Sequence, residues 1–279
     1  MLRYIPKNSK LKFVNSNNLK VALIPLEIKW EDKEFNLIAV EEKLSLVYPE
    51  TDLVILPETF STGFPSGEKS EHVRTFAEDN LGKTVSSLKS LSRKYNVAIA
   101  GSFIASDNDK LFNRGFFIEP SGDEYFSDKH HLFTMAKENE VFTRGNSRLS
   151  VRYRGWNIAM IICYDLRFPV WCRNINNEYD FLIAVANWPL PRVDAWNKLL
   201  YARAIENQAY VCGVNCQGTD KKGFEYDGST LAIDYKGKDI TITLEETDIK
   251  YALLSRDKLD SFREKFPAWN DADTFIICK

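Results

Sequence analysis

Apolar residues along the chain fall into two patterns, short solid runs and spaced series. The runs at 19–28, 53–56, 97–104, 156–162, 181–186 and 210–215 are rich in Val, Ile, Leu and Ala, which predicts strands buried on both faces. Between the first two runs, Phe35, Leu37, Ile38, Val40, Leu44 and Val47 recur near the helical period and predict a helix over 31–47. Further helices are expected at 84–95, capped by Thr84, at 194–209, capped by Asp194, and at 257–265. One hairpin joins 112–119 to 124–126 through Pro120-Ser121-Gly122-Asp123, and a second joins 149–153 to 156–162 through Arg154-Gly155. Shorter strands are expected at 230–234, 240–244 and 251–254. Residues 1–18 read as a polar arm and 266–279 as an irregular aromatic tail. Strands alternate with helices early, and hairpins follow. The pattern is that of an α/β chain with two sheets, or one mixed sheet, covered by helices. No linker or internal repeat divides it, so a single domain over 1–279 is expected.

Composition narrows the function. The chain has 279 residues, 44% hydrophobic, enough for a sizeable core. A formal charge of -2 leaves no basic excess to hold a nucleic-acid backbone. Arg144, Arg148, Arg152 and Arg154 cluster beside the second hairpin and read as a solvated face. No apolar run approaches the roughly 18 residues of a membrane span, and the first ten residues lack the apolar core of a signal peptide. Neither nucleic acid nor membrane is an expected partner. Five cysteines in no regular framework indicate a reducing, cytoplasmic setting. Cys212 and Cys216 lie four apart but have no second pair or nearby histidine to complete a zinc site, and no metal is expected. Gly82-Lys83-Thr84 resembles the end of a phosphate loop, but Ala77 stands where that loop needs glycine.

The candidate chemistry centres on Cys163. It ends the run at 156–162 and is followed by the polar turn Tyr164-Asp165-Leu166-Arg167-Phe168, then by Pro169, which suits a first helical turn. A thiol at the carboxyl end of a strand lies where α/β sheets form ligand crevices, and a nearby helix N-terminus with basic neighbours would favour the thiolate. A buried structural cysteine is the competing reading. Histidine is the usual base for such a nucleophile, and of His72, His130 and His131 only the last two are serious candidates. Two other groups sit at strand exits. Glu58 follows the run at 53–56 and could accept and return a proton. Lys129 follows the strand at 124–126 and could stabilise an oxyanion. Spacing alone does not bring these groups together. Glu58 could equally cap a loop, and Lys129 could lie on the surface. No Gly-x-Ser-x-Gly elbow is present.

The ordered blocks Leu56-Pro57-Glu58-Thr59-Phe60, Asp128-Lys129-His130-His131-Leu132-Phe133 and Cys163-Tyr164-Asp165-Leu166-Arg167-Phe168-Pro169 together resemble the nitrilase superfamily of carbon–nitrogen hydrolases. Ala186-Asn187-Trp188-Pro189, the stretch 202–210 and the stretch 262–269 extend the resemblance over nearly the whole chain, and the last blocks look most like its omega-amidase branch. The resemblance implies a four-layer αββα sandwich, two mixed sheets flanked by helices. It implies Glu58 as general base and acid, Lys129 as oxyanion stabiliser and Cys163 as nucleophile, with the backbone N–H of Tyr164 assisting Lys129. A second glutamate follows the lysine in this family. Glu138, seven residues before Gly145, fits that role better than Glu140. No cofactor is implied. The expected substrate is the side-chain amide of a 2-oxo acid such as 2-oxoglutaramate. Arg192 is expected to meet its carboxylate, Phe64 and Trp188 to wall the pocket, and Arg167 to pair within its own turn. Hydrolysis of N-carbamoyl amino acids, deaminated glutathione or aliphatic amides is the alternative, and a non-catalytic binding protein a distant one. A homodimer is expected. His130 stands where some relatives carry Arg, and the N-terminal arm lies outside the pattern.

Overall fold

A computed structural model describes residues 17–274. In chain order the elements are β1 (Asn18–Leu23), α1 (Lys33–Leu46), β2 (Leu53–Ile55), α2 (Ser70–Arg74), α3 (Lys83–Tyr95), β3 (Ala98–Asp107), β4 (Lys110–Ile118), β5 (Glu124–Asp128), α4 (Glu138–Val141), β6 (Leu149–Tyr153) and β7 (Trp156–Ile162). They continue with α5 (Pro169–Cys172), β8 (Phe181–Ala186), α6 (Val193–Asn207), β9 (Tyr210–Asn215), β10 (Gln217–Thr219), β11 (Glu225–Asp227), β12 (Leu231–Ile233), β13 (Ile242–Leu244), β14 (Thr247–Ser255) and α7 (Arg256–Lys265).

Two mixed sheets result. The first has the order β13-β14-β1-β2-β3-β4-β5 and the second β12-β9-β8-β7-β6, with a small β10-β11 hairpin beside them. β1, β2 and β3 are parallel, and β4 and β5 return antiparallel, so β5 again runs with β2. In the second sheet β7, β8 and β9 are parallel. Side chains alternate between the faces of a strand. Leu19, Val21 and Leu23 of β1 therefore point inward, where they share a core with Ile158, Met160 and Ile162 of β7 and Phe181, Ile183 and Val185 of β8. Ala22 points outward, into a second core under α1 and α3 that holds Leu37, Val40, Leu44, Val85 and Leu88. Ala159, Ile161, Leu182 and Ala184 face a third core with Trp196, Leu200 and Ala204 of α6. Three apolar interfaces separate four layers, helix–sheet–sheet–helix, as the resemblance implied.

Several local expectations are corrected. The run at 19–28 leaves the sheet after Leu23, because Pro25 has no N–H to give the ladder; one bridge, Glu27 to Gln217, follows it. Thr84 does not cap α3 but lies inside its first turn. The Glu78 carboxylate closes that end, accepting from the N–H groups of Lys83 (3.0 Å) and Thr84 (3.1 Å). Asp194 lies in the first turn of α6, whose cap position is Arg192. The β10-β11 hairpin and α2 were not anticipated. Of the arginines beside the second hairpin, Arg144, Arg152 and Arg154 stay exposed as expected, whereas Arg148 is partly buried and donates to the carbonyls of Trp171 and Arg173. Residues 1–16 of the expected arm and 275–279 of the expected tail lie outside the described residues. The described part of the tail holds a single-turn helix, Ala268–Asp271.

Candidate active site

Four strands that run in parallel within their sheets end around one point. Glu58 lies three residues past β2, Lys129 directly follows β5, Cys163 follows β7 and Asn187 follows β8. Lys129 is 2% exposed, Glu58 0% and Glu138 2%, so three charges are held almost without water. Such charges persist only when paired and hydrogen-bonded. Lys129 Nζ donates to Glu58 Oε1 at 2.9 Å and to Glu138 Oε1 and Oε2 at 2.9 and 3.0 Å. Burial alone would lower the Lys129 pKa, but the carboxylates of Glu138 and Glu58 hold it well above its ordinary value. Glu138 opens α4, and its Oε2 accepts from the N–H of Phe133 at 2.5 Å. Its pKa is raised by burial, against the pull of Lys129 and with the push of Glu58. Glu140, the competitor, is exposed and faces Lys137 at 3.7 Å.

Two amides complete the setting of Glu58, and neither was given a role from sequence. Asn113 of β4 donates to Glu58 Oε1 at 2.7 Å. Its own Oδ1 accepts from Ser102, whose hydroxyl also accepts from the N–H of Thr59. Asn187 donates its backbone N–H to Glu58 Oε2 at 2.8 Å and its side-chain amide to the Glu58 carbonyl at 3.0 Å. Glu58 thus receives an ammonium and two N–H donors on its carboxylate, which orients it and leaves it an acceptor. The signals were present but faint: an Asn within the strand of residues 112–119, and an Asn at a strand exit equivalent to those of Glu58 and Cys163.

Cys163 has φ +48°, a left-handed conformation that costs a non-glycine residue about 1–3 kcal/mol and recurs at functional sites. It turns the chain from β7 into the single-turn helix Cys163–Arg167. The residue is partly exposed. The expectation of a resting thiolate is corrected. Burial and the neighbouring Glu58 carboxylate raise the thiol pKa well above its ordinary value, and the opposing pull of Lys129 does not cancel them. With two carboxylates already sharing one ammonium, a thiolate would be a further anion beside them.

The histidines are committed elsewhere. His130 Nδ1 donates to the Gly145 carbonyl at 2.7 Å while Nε2 accepts from Arg144 at 2.6 Å, and its ring stacks on Trp171 at 3.8 Å. His131 Nδ1 donates to Asp165 Oδ1 at 2.8 Å, with its ring stacked on Phe168 at 3.6 Å. His72 pairs at the surface with Glu31. A Cys–His pair is not formed. Gly145 is required where it lies: a Cβ there would fall 1.9 Å from the Asp128 carbonyl oxygen, against the strand that delivers Lys129.

Around these groups, the Phe64 ring stands 5.3 Å from Lys129 Nζ, and Tyr164 packs against Phe133 at 5.0 Å. The Arg192 guanidinium lies over the Phe133 ring at 5.3 Å. Trp188, expected as a pocket wall, is buried against Trp196 in the third core, and its indole N–H holds the Arg192 carbonyl at 2.8 Å. Arg167, expected to pair within its turn, lies over the Trp188 ring at 4.9 Å, because Asp165 is occupied by His131.

Comparison with known proteins agrees with this arrangement of strands and sheets. The chain is 41% identical over 260 residues to the omega-amidase YafV of Escherichia coli K12, covering 93% of this chain and 98% of that one. It is 30% identical to the 2-oxoglutaramate amidase of Bacillus subtilis, covering 90% and 96%. The crystal structure of XC1258 from Xanthomonas campestris, a CN-hydrolase superfamily protein, superposes with a TM-score of 0.88 at 35% identity, covering 94% of this chain and 99% of that one. Residues 20–264 match the sequence profile of the carbon-nitrogen hydrolases, and the chain belongs to that family.

Proposed function

We propose that the protein is an omega-amidase, hydrolysing the side-chain amide of 2-oxo acid amides such as 2-oxoglutaramate to the dicarboxylate and ammonia. The observation that carries the mechanism is the buried Glu58–Lys129–Glu138 cluster beside the Cys163 thiol. Cys163 Sγ attacks the amide carbonyl carbon, and Glu58 takes the thiol proton as the S–C bond forms. Negative charge moves onto the carbonyl oxygen. Lys129 Nζ and the N–H of Tyr164, in the first turn after β7, neutralise it. Glu58 then returns its proton to the nitrogen, the C–N bond breaks and ammonia leaves a Cys163 thioester. A water that gives its proton to Glu58 attacks the thioester carbon. The C–S bond breaks, the sulfur recovers the proton, and the carboxylate product departs. Glu138 holds Lys129 through both steps and orients the substrate amide. The thiol, carboxylate and ammonium supply nucleophile, base and charge, so the mechanism uses no cofactor or metal.

Arg192 suits the distant carboxylate of the substrate. It lies partly exposed above Phe133, without a carboxylate partner among the described residues. Phe64 and Tyr164 flank the reacting amide. Two copies of the chain are proposed to associate through the exposed apolar groups Val170, Ile175, Ile205, Phe266 and Trp269, where the turns Ile175–Asn177 and Ala268–Asp271 adjoin. Light scattering reporting a single 32.2 kDa chain would remove that pairing. A cytoplasmic setting is proposed because Cys163, Cys172, Cys212 and Cys216 are free thiols.

The test is ammonia release from 2-oxoglutaramate, glutamine and an N-carbamoyl amino acid by the purified protein and by Cys163→Ala. 2-Oxoglutaramate should be turned over at least tenfold faster than the other two, and the variant should be silent. Preference for the carbamoyl compound would transfer the protein to another activity of its family. An active Cys163→Ala would end the thioester mechanism.

A further inference from the structure

Asp165 is a 2% exposed carboxylate to which, among the described residues, neither lysine nor arginine is bonded. Its Oδ2 accepts from the N–H of Ile162 at 3.2 Å. Its Oδ1 accepts from the N–H of His131 at 2.8 Å and from His131 Nδ1 at 2.8 Å. Ile162 immediately precedes Cys163, and His131 lies two residues after Lys129. One carboxylate therefore joins the turn that presents the nucleophile to the loop that presents the ammonium. The imidazole is gripped from the same turn, because Phe168, whose N–H donates to the Asp165 carbonyl at 3.0 Å, stacks face to face on it at 3.6 Å and 5°. Trp171 meets its edge at 5.8 Å.

Something must hold Cys163 at φ +48°, a conformation its side chain disfavours. The hydrogen bond that the Asp165 carboxylate accepts from the Ile162 N–H spans that residue, and the carboxylate is itself fixed by His131. We propose that His131 and Asp165 form a positioning pair that keeps the strained Cys163 elbow in register with Lys129, without touching the reacting atoms. This rests on the mechanism proposed above for the role of Lys129 and Cys163, but the pair's effect on the thiol is measurable without turnover. Loosening the pair lets sulfur and ammonium drift apart, and a misplacement of about 1 Å costs on the order of 100-fold in rate. The loss falls on kcat, since the carboxylate end of the substrate is held by other groups.

The isosteres separate this role from simple packing. In His131→Asn the side-chain N–H₂ occupies the place of Nδ1–H and still donates to Asp165. In His131→Gln the amide reaches toward the other ring nitrogen and does not. Full-length His131→Asn, His131→Gln, His131→Ala and Asp165→Asn are compared with wild type, their folded fractions checked by circular dichroism and thermal melting. His131→Asn should keep kcat within about fivefold, while His131→Gln and His131→Ala lose about 100-fold in kcat with KM within about threefold. Asp165→Asn should follow the second group. In parallel, the iodoacetamide alkylation rate of Cys163, identified by its absence in Cys163→Ala, should shift at least threefold in His131→Gln and little in His131→Asn. Equal effects of Asn and Gln, a loss confined to KM, or alkylation unchanged in His131→Gln would each overturn the proposal. If wild type releases no ammonia, the amidase reading fails, and the alkylation series still decides whether the pair sets the elbow.

Discussion

Lys129 carries a positive charge with almost no water around it, and two carboxylates make that tolerable. Lys129→Met removes the cation and leaves Glu58 and Glu138 facing one another. Breaking a buried ion pair in this way costs about 3–5 kcal/mol. The urea midpoint should fall accordingly, and ammonia release should vanish in whatever folds; an unmoved midpoint would show that the carboxylates do not depend on the cation. Arg192 belongs to the same scale but acts on binding. A charged hydrogen bond contributes about 1.5–3 kcal/mol, so Arg192→Ala should raise KM for 2-oxoglutaramate about 10- to 100-fold. KM for an uncharged amide should stay within about twofold, and parallel losses would strip Arg192 of its role. Glu58, Lys129 and Cys163 could be noticed in the sequence because each follows an expected strand, and the family resemblance then joined them. Asn113 could not, since one amide inside a strand signals nothing until the opposite side of the site is known. The protonation of Cys163 was misread for a related reason. The flanking residues suggest a helix N-terminus, whereas the burial and the Glu58 carboxylate that govern the thiol come from distant parts of the chain.

At the scale of elements, the segment after β5 is stitched down by neutral imidazole. His130 gives one nitrogen to the Gly145 carbonyl and takes a hydrogen bond from Arg144 at the other. A proton on that second nitrogen would face the guanidinium. Burial lowers the His130 pKa from 6.5, and Arg144 and His131 add to this while Gly145 and Asp165 oppose it. The sign follows from linkage. Below about pH 6.5 the unfolded chain binds a proton that the folded chain refuses, so stability falls as pH drops from 6.5 toward the folded value. One such group changes stability by at most about 1.4 kcal/mol per pH unit. His130→Asn, which keeps a donor toward Gly145, should flatten urea-derived stability between pH 6.5 and 5; an unchanged slope would place the acid sensitivity elsewhere. Element types were easier to anticipate than their ends. The solid apolar runs became strands because only a doubly covered sheet buries both faces of a strand. The cap of α3 was missed because it comes from Glu78, outside the helix, and the β10-β11 hairpin because among its six strand residues only Tyr226 is buried.

At the scale of the whole molecule, the two ends of the sandwich do different work. The carboxyl ends of β2, β5, β7 and β8 converge on charged side chains and a strained turn. The opposite end of β8 is closed by Asp180, the residue before the strand, which is 1% exposed. Its carboxylate pairs with Arg263 of α7 at 2.8 Å and with Arg256, and also accepts from the N–H of Asn157 at the start of β7. α7 directly continues β14 of the seven-stranded sheet, so this cluster ties that sheet to the five-stranded one. The four-layer stacking could be expected from the family resemblance, but this tie could not, since Asp180 and Arg263 are 83 residues apart with no motif joining them. Asp180→Ala leaves the buried Arg263 guanidinium without its carboxylate, a loss of about 3–5 kcal/mol. Asp180 and Asn187 flank the six residues of β8 and so lie about 23 Å apart, too far to disturb the reacting groups. The urea midpoint should therefore fall with the slope unchanged, while kcat and KM of the folded fraction match wild type. A fall in kcat at full folding would mean that the two ends of the sandwich are mechanically coupled through β8, and the division of labour between them would have to be abandoned.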